Sequence, residues 1–221
     1  KLGNKFSNIS QLNENLIIAG SAALDKKLSE FAKDKEIGGL EFLSGIPGTI
    51  GGGIRMNSGC FKREFKDVLV SIQILNYNGE VFTVPADKIN FSYRETSFSK
   101  ENIFLSASFK GKKKNKEIIE KEIKNLKNLK EISQPSRVKT SGSTFKNPIE
   151  KTSKKVWELI KESVSLKTTF GDAEISSKHC NFFVNKNNAS FEDMKKLIDF
   201  VKKNVKSKTG IELETEIEII E

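Results

Sequence analysis

Apolar positions change their period several times along the chain, and each change marks an element. Residues 15–19 (NLIIA) form a short apolar run, which predicts a buried strand. Leu24, Leu28, Phe31 and Ala32 then recur at helical spacing and predict an amphipathic helix over 23–33. Residues 38–59 are glycine-rich and read as irregular. β-rich runs at 68–77 and 80–84 are joined through Asn78 and Gly79, whose tolerance of positive φ predicts a hairpin. Residues 103–109 predict a further strand, and Ile119, Ile123 and Leu126 mark a helix over 117–130.

Pro135 and the polar stretch to Pro148 break that pattern. Beyond it come a short helix around 156–160, a strand over 181–185 and a long helix. Ser190 followed by Asp193 is a start signal for the long helix, whose buried stripe is Met194, Leu197, Ile198, Val201 and Val205. Gly210 ends it, and 211–220 reads as a final strand. Trp157 and the helical aliphatic residues read as core. The sum is an α+β chain with a boundary near Gln134.

Length and charge narrow the function classes. At 221 residues the chain can bury a real core in one large or two modest domains. No apolar run approaches the roughly 20 residues that cross a bilayer, and no signal-peptide pattern opens the chain. It begins at Lys1, without Met and inside a polar stretch, which suggests that an N-terminal part precedes it. Cys60 and Cys180 lie far apart with no metal-type spacing, so no metal site is expected and a reducing cytoplasm fits. The formal charge of +9 rests mostly on Lys scattered over helix faces. The densest cluster, 110–116, reads as a solvated turn, and aromatics are not interleaved with Arg as a nucleic-acid platform requires. Positive charge also suits attraction of an anionic nucleotide.

The glycine-rich segment GLEFLSGIPGTIGGGIRMNSG spans Gly39 to Gly59. Glycine lets backbone approach a ligand closely and present N–H groups to it. The segment has neither a Walker loop nor a GxGxxG fingerprint, so its residues alone leave open a ligand loop or a plain crossover. Ser44, Gly45, Ile46, Pro47, Gly48, Thr49, Ile50, Gly51 and Gly52, followed by Met56, Asn57, Ser58 and Gly59, resemble the second flavin-contacting loop of the vanillyl-alcohol-oxidase/PCMH-type FAD-binding fold. Ser44, Gly45, Ile46, Pro47, Gly48, Gly51, Gly52, Asn57 and Gly59 are then the cofactor-binding candidates that this resemblance implies.

Three further stretches carry a narrower resemblance. Tyr93-Arg94-Glu95-Thr96-Ser97-Phe98 is similar to a YRxSxF motif, with Thr96 where Ser is usual. Gln134-Pro135 with Gly142-Ser143-Thr144-Phe145-Lys146-Asn147-Pro148 is similar to QP…GSTFKNP, and Ser177-Lys178-His179-Cys180-Asn181-Phe182 to SxKHCNF. With the C-terminal Gly210–Ile217 signature, these motifs in order resemble the UDP-N-acetylenolpyruvoylglucosamine reductase family. The resemblance implies a second part of an FAD-binding domain over 1–133, a smaller α+β substrate-binding domain over 134–209, and a C-terminal strand over 210–221 returning toward the active site. The family's other glycine-rich FAD loop would lie before Lys1, which implies that this chain by itself binds flavin poorly. The short Arg94-to-Ser143 spacing implies the subgroup without an extra tyrosine-bearing loop. Asp172, Thr215 and the stretch 162–165 depart from the family's usual residues and imply altered loop geometry rather than lost function.

The implied chemistry is an NADPH-dependent, FAD-carrying reduction of a soluble nucleotide-sugar enol ether by a monomeric enzyme. An enol ether bearing a carboxylate accepts hydride at its terminal carbon if the developing enolate is stabilised, and the adjacent carbon then takes a proton. Ser143 would be the proton donor, an unactivated hydroxyl that needs polarising neighbours and a water-poor pocket. Arg94 and Glu216 would flank the substrate carboxylate and enolate, the planar Arg fork meeting a carboxylate bidentately. Glu216 would act by hydrogen bonding, since a bare anion opposes the developing charge. Tyr93, Lys146 and Asn147 would bind substrate, the last two at its diphosphate. The single histidine, His179, reads as a loop-orienting residue rather than a base. The alternatives are another flavin oxidoreductase of the same superfamily and a flavin- or nucleotide-binding fragment without catalysis.

Overall fold

A computed structural model describes residues 2–220, and the chain divides into two units, Lys1–Lys130 and Glu131–Glu221. The outermost positions of the expected first and last segments, Lys1 and Glu221, lie outside the described residues. In the first unit the chain runs through β1 (Ile9–Asn13), β2 (Leu16–Gly20), α1 (Asp25–Asp34), β3 (Ile37–Gly38), a 3-10 turn (Glu41–Gly45) and α2 (Ile50–Arg55). It continues with β4 (Gly59–Cys60), β5 (Arg63–Glu64), β6 (Leu69–Leu75), β7 (Val81–Pro85), β8 (Phe91–Ser92) and β9 (Glu95–Thr96). Then follow β10 (Ile103–Lys110), β11 (Lys112–Lys113) and α3 (Lys116–Ser133), whose last residues pass the division between the units.

The main sheet of this unit has five strands in the order β1-β2-β10-β6-β7, all antiparallel. Ile17 and Ala19 of β2, Ile72 and Ile74 of β6, and Phe104, Ala107 and Phe109 of β10 are buried, as are Leu28 and Ala32 of α1 and Ile50 and Ile54 of α2. One apolar cluster thus joins the sheet to both helices. Among the expected strand connections, the β6–β7 turn departs from its expected form. The hairpin exists, but of Asn78 and Gly79 only Gly79 takes positive φ (80°), and Asn76 N–H donates to the Glu80 carbonyl at 3.0 Å. It is therefore a longer turn with one left-handed residue, not a two-residue turn needing two.

Two other expectations are corrected here. The 38–59 segment is not wholly irregular, because Ile50–Arg55 is helical despite three glycines. Its buried Ile50 and Ile54 anchor it, and Gly53 is required because a Cβ there would lie 2.3 Å from the Phe65 ring. The lysine cluster at 110–116 is not a solvated turn. Lys112 and Lys113 pair as β11 with β3, Lys113 and Lys116 meet Glu36 and Asp34, and Lys114 bridges Glu41 and Glu122.

Asp25, in the first turn of α1, is wholly buried and neither carboxylate oxygen has a hydrogen-bond partner. Burial pushes its pKa up from 3.8 to about 7. The unfolded chain gives up this proton near the ordinary value and the folded chain only near 7. Stability is therefore full below the lower value and falls as pH rises between the two, by about 1.4 kcal/mol per unit. Asp25→Asn is expected to raise Tm at pH 8 by several degrees and leave it nearly unchanged at pH 4. Equal melting shifts at both values would show that Asp25 keeps its charge when folded.

The second unit contains β12 (Lys139–Ser143), α4 (Val156–Ser163), β13 (Thr169–Phe170), β14 (Ala173–Ile175), β15 (Phe182–Asn185) and α5 (Phe191–Thr209). Its sheet order is β12-β15-β14-β13, again antiparallel. Leu197, Ile198, Val201 and Val205 of α5 pack with Leu159 and Ile160 of α4 and Phe183 of β15 in a second core. Ser190 caps α5 through a reciprocal pair with Asp193, and Gly210 closes it at φ 73°. Trp157 is not core: it is 42 % exposed, on the outward face of α4. The expected final strand over 211–220 is also corrected. That segment carries only an isolated bridge, Thr215 to Phe145. No helix among the described residues is long and apolar enough to cross a membrane.

Candidate functional site

In the first unit the glycine-rich loop is pinned along the end of β2 and the start of α1. Gly51 N–H donates to the Ser21 carbonyl and Ile50 N–H to that of Ala23, each at 2.9 Å, while Leu24 and Thr49 form a bridge. From the other side Lys130 Nζ donates to the Gly45 carbonyl at 2.6 Å. Pro47, Gly48 and Gly52 are left exposed, with Gly48 at φ 150°, where a side chain is strained. A Cβ on Gly52 would meet nothing nearer than Thr49 Oγ1 at 3.7 Å, so protein packing does not require glycine there. Ser44 Oγ is buried and has no protein partner. A bare, exposed glycine edge beside an orphaned hydroxyl fits the close approach of a flat ligand, which is the chemistry expected of Ser44, Gly45, Ile46, Pro47, Gly48, Gly51 and Gly52.

Two of the cofactor candidates serve the protein itself. Gly59 lies at the start of the β4–β5 hairpin, whose turn residues Phe61 and Lys62 both have positive φ, and a Cβ on it would lie 2.6 Å from the Arg63 carbonyl oxygen. Asn57, a candidate for touching the cofactor, has a wholly buried side chain. Its Oδ1 accepts from Lys66 N–H at 3.1 Å, and its Nδ2 donates to Glu64 Oε2 at 3.1 Å and to the Ser92 carbonyl at 3.2 Å. The amide has no surface left to offer a ligand.

Tyr93 and Arg94 form the two-residue turn between β8 and β9. Arg94 sits at φ 61°, an uncommon conformation for a side-chain-bearing residue that clusters at functional positions. Its guanidinium lies 4.9 Å from the Tyr93 ring centroid. Arg94 and Lys130 also act on the Cys60 thiol, pulling its pKa down against the larger upward push of burial. Thr96, where the motif has Ser, is buried and donates its hydroxyl to the Arg55 carbonyl at 3.3 Å. Arg55 itself donates to the carbonyls of Phe98, Ser99 and Asn102 and stacks 4.2 Å from the Phe104 centroid.

In the second unit Ser143 ends β12, opposite Phe182 and just after Gly142 at φ 94°. The C-terminal segment lies alongside. Glu216 N–H donates to the Thr144 carbonyl, and Lys146 N–H to the Glu214 carbonyl, both at 2.9 Å. Glu216 therefore faces the residue that follows Ser143. In the run Glu212, Glu214, Glu216 and Glu218, only Glu216 is half-buried and the other three are exposed. Lys146 Nζ rests on exposed Glu214 at 2.5 Å, a pair that an incoming anion can displace at little cost. Asn147 Oδ1 accepts from Val156 N–H at 3.0 Å, which fixes the start of α4.

Sequence reasoning missed Asn181. It is buried, and its side chain brackets Phe145, accepting that residue's N–H at 3.0 Å and donating to its carbonyl at 2.9 Å. Its own carbonyl accepts Thr144 N–H at 2.8 Å. This strut carries the 144–146 strip, and the KHCNF motif was the signal that contained it. His179 supports the same loop, with Nδ1 accepting Asn181 N–H at 3.2 Å. Burial lowers its pKa, so the ring is neutral near pH 7 with its proton on Nε2, consistent with a loop-orienting role. The Cys180 thiol donates to the Trp157 carbonyl at 3.1 Å.

Comparison with known proteins follows this division. Residues 1–85 match the family described as FAD binding domain, and residues 134–220 match the UDP-N-acetylenolpyruvoylglucosamine reductase, C-terminal domain. The chain is 66% identical over 220 residues to the UDP-N-acetylenolpyruvoylglucosamine reductase of Pelagibacter ubique (strain HTCC1062), covering all of this chain and 73% of that protein. It is 41% identical over 221 residues to that of Wolbachia pipientis wMel, covering 74% of it. The crystal structure of the reductase MurB from Thermus caldophilus superposes with a TM-score of 0.78 at 29% identity, over 91% of this chain and 71% of that one. The chain belongs to the UDP-N-acetylenolpyruvoylglucosamine reductase family.

Proposed function

We propose that this protein is the NADPH-dependent flavoenzyme that reduces UDP-N-acetylglucosamine enolpyruvate to UDP-N-acetylmuramate, a monomeric cytoplasmic step supplying peptidoglycan synthesis and hence cell shape and division. The observation that carries this reading is the pairing of 144–146 with 214–216, which sets Ser143 and half-buried Glu216 on adjoining extended segments. The exposed edge at Gly48 and Gly52, with Ser44, Gly45, Ile46, Pro47 and Gly51, would hold FAD. Bound FAD would supply hydride, received from NADPH, to the terminal carbon of the enolpyruvyl group.

The chain's own residues supply the rest. Arg94 binds the substrate carboxylate and takes up charge as the enolate develops. Glu216, acting in its protonated form, donates a hydrogen bond that orients that enolate. Ser143 Oγ delivers its proton to the adjacent carbon and completes the saturated lactyl ether. Tyr93 covers the Arg94 guanidinium, and Lys146 exchanges its surface partner Glu214 for the substrate diphosphate. Asn147 completes that diphosphate contact from the start of α4. Anaerobic stopped-flow on full-length, NADPH-reduced protein tests this. Rapid return of the oxidised flavin spectrum with the enolpyruvyl nucleotide, and not with UDP-N-acetylglucosamine, is expected. A protein that holds FAD and shows no reoxidation would remove the substrate assignment.

A further inference from the structure

The side chain of Asn57 ties the flavin loop to the turn that carries Arg94. Asn57 follows α2 closely, with a left-handed backbone at φ 38° and no exposed surface. One of its two Nδ2 donations goes to the Ser92 carbonyl at 3.2 Å, one residue before the Tyr93–Arg94 turn. The other goes to Glu64, while its Oδ1 holds Lys66 N–H. The far side of the same hairpin is held from the last residue of the helix, Thr96 Oγ1 reaching the Arg55 carbonyl. A hairpin of two residues per strand, continued by the Asn90–Ser97 pair, has few ladder bonds of its own. These outside anchors help to set the place of its tip, which is strained at Arg94.

We propose that Asn57 is a positioning residue for the reduction of the nucleotide-sugar, setting where Arg94 stands relative to the flavin loop without touching cofactor or substrate. This rests on the reading of Arg94 as the partner of the substrate carboxylate. A misplacement of about 1 Å at such a group costs on the order of 10²-fold in rate, whereas flavin reduction by NADPH involves no substrate carboxylate for Arg94 to hold.

Asn57→Gly removes the amide and suits the left-handed backbone, so loss of the side chain is read without added strain. Asn57→Asp keeps the acceptor for Lys66 and loses both donations. In full-length holoenzyme both variants are expected to keep flavin reduction within about threefold and to slow reoxidation by the enolpyruvyl nucleotide roughly 10- to 100-fold. In an Arg94→Ala background Asn57→Gly is expected to add almost nothing, because it acts through Arg94. Amide hydrogen exchange over 91–96 is expected to quicken in both variants while β2, β6 and β10 stay protected. Unchanged exchange over 91–96, an equal loss in both half-reactions, or full additivity with Arg94→Ala would each overturn the proposal. Failure of the wild type to be reoxidised by the enolpyruvyl nucleotide would instead overturn the functional reading, and the exchange at 91–96 would still decide whether Asn57 holds the hairpin.

Discussion

Ser143→Ala in the full-length protein is expected to leave the reduction of FAD by NADPH almost intact and to slow its reoxidation by the enolpyruvyl nucleotide by about 10²- to 10⁴-fold, the usual contribution of a placed general acid. The change deletes one hydroxyl. β12 holds residue 143 by backbone pairing with Phe182, and Thr144 and Phe145 are fixed by Asn181, so the strip should keep its path without the Ser143 side chain. Stopped-flow absorbance separates the two half-reactions, and melting curves check the fold. Exchange of the hydroxyl's proton also makes a labelled test: in D2O the wild type is expected to place one deuterium on the carbon next to the product carboxylate. Equal slowing of both half-reactions would make Ser143 a structural turn residue.

What the sequence showed plainly was what hydrophobic burial writes into it. β2, α1, β6, β10, α3 and α5 all announce themselves because each buries a stripe or a run of apolar residues. What it hid was structure held by backbone pairing or by sterics. β12 reads KTSGS, with no apolar alternation, because it is an edge strand paired to the apolar β15 on one side only. α2 carries three glycines in six residues, and no propensity argument makes that a helix; its burial between the sheet and Phe65 does. Residues 211–220 alternate like a strand, yet their pairing is confined to the neighbourhood of the Thr215 bridge. Along this segment Leu213 is buried and Glu216 and Ile217 half-buried, while Glu212, Glu214 and Glu218 are exposed, so burial does not follow a strand's alternation.

The site residues divide along the same line. Arg94, Ser143 and Glu216 were legible only as members of motifs, since an isolated Ser in a Gly-Ser-Thr stretch or a Glu in an acidic run says nothing alone. Asn57 was legible only as part of a motif, and the structure adds which way its amide points, toward Glu64, Lys66 and Ser92, because the sequence records that an amide is needed and not its direction. Asn181 stood inside a motif with no role legible there, and Arg55 was not singled out, for the same reason: each satisfies backbone carbonyls or N–H groups of residues distant in sequence, 36 positions away for Asn181 and Phe145 and 47 for Arg55 and Asn102. Such pairings leave no local period to read.

Arg94 carries the second large expectation, because it separates stability from activity at one position. Its left-handed backbone at the hairpin turn is of the kind that costs on the order of 1 kcal/mol or more for a residue with a Cβ, and glycine adopts it freely. Relief of that strain in Arg94→Gly offsets part of what is lost with the side chain's contacts, the stacking on Tyr93 among them, so the melting temperature is expected to fall by no more than a few degrees. Reoxidation by the enolpyruvyl nucleotide should nevertheless fall by about 10²- to 10³-fold, since the two charge-assisted bonds of a guanidinium fork to a carboxylate are lost together. Arg94→Lys retains the charge but not the fork, and is expected to recover only about tenfold of that loss. Flavin reduction by NADPH should stay near wild type in both. Melting curves with stopped-flow read the two quantities on the same protein. A lysine variant as fast as wild type would reduce the role of Arg94 to its charge, whereas a glycine variant both destabilised and slow in each half-reaction would place Arg94 among the residues that hold the turn.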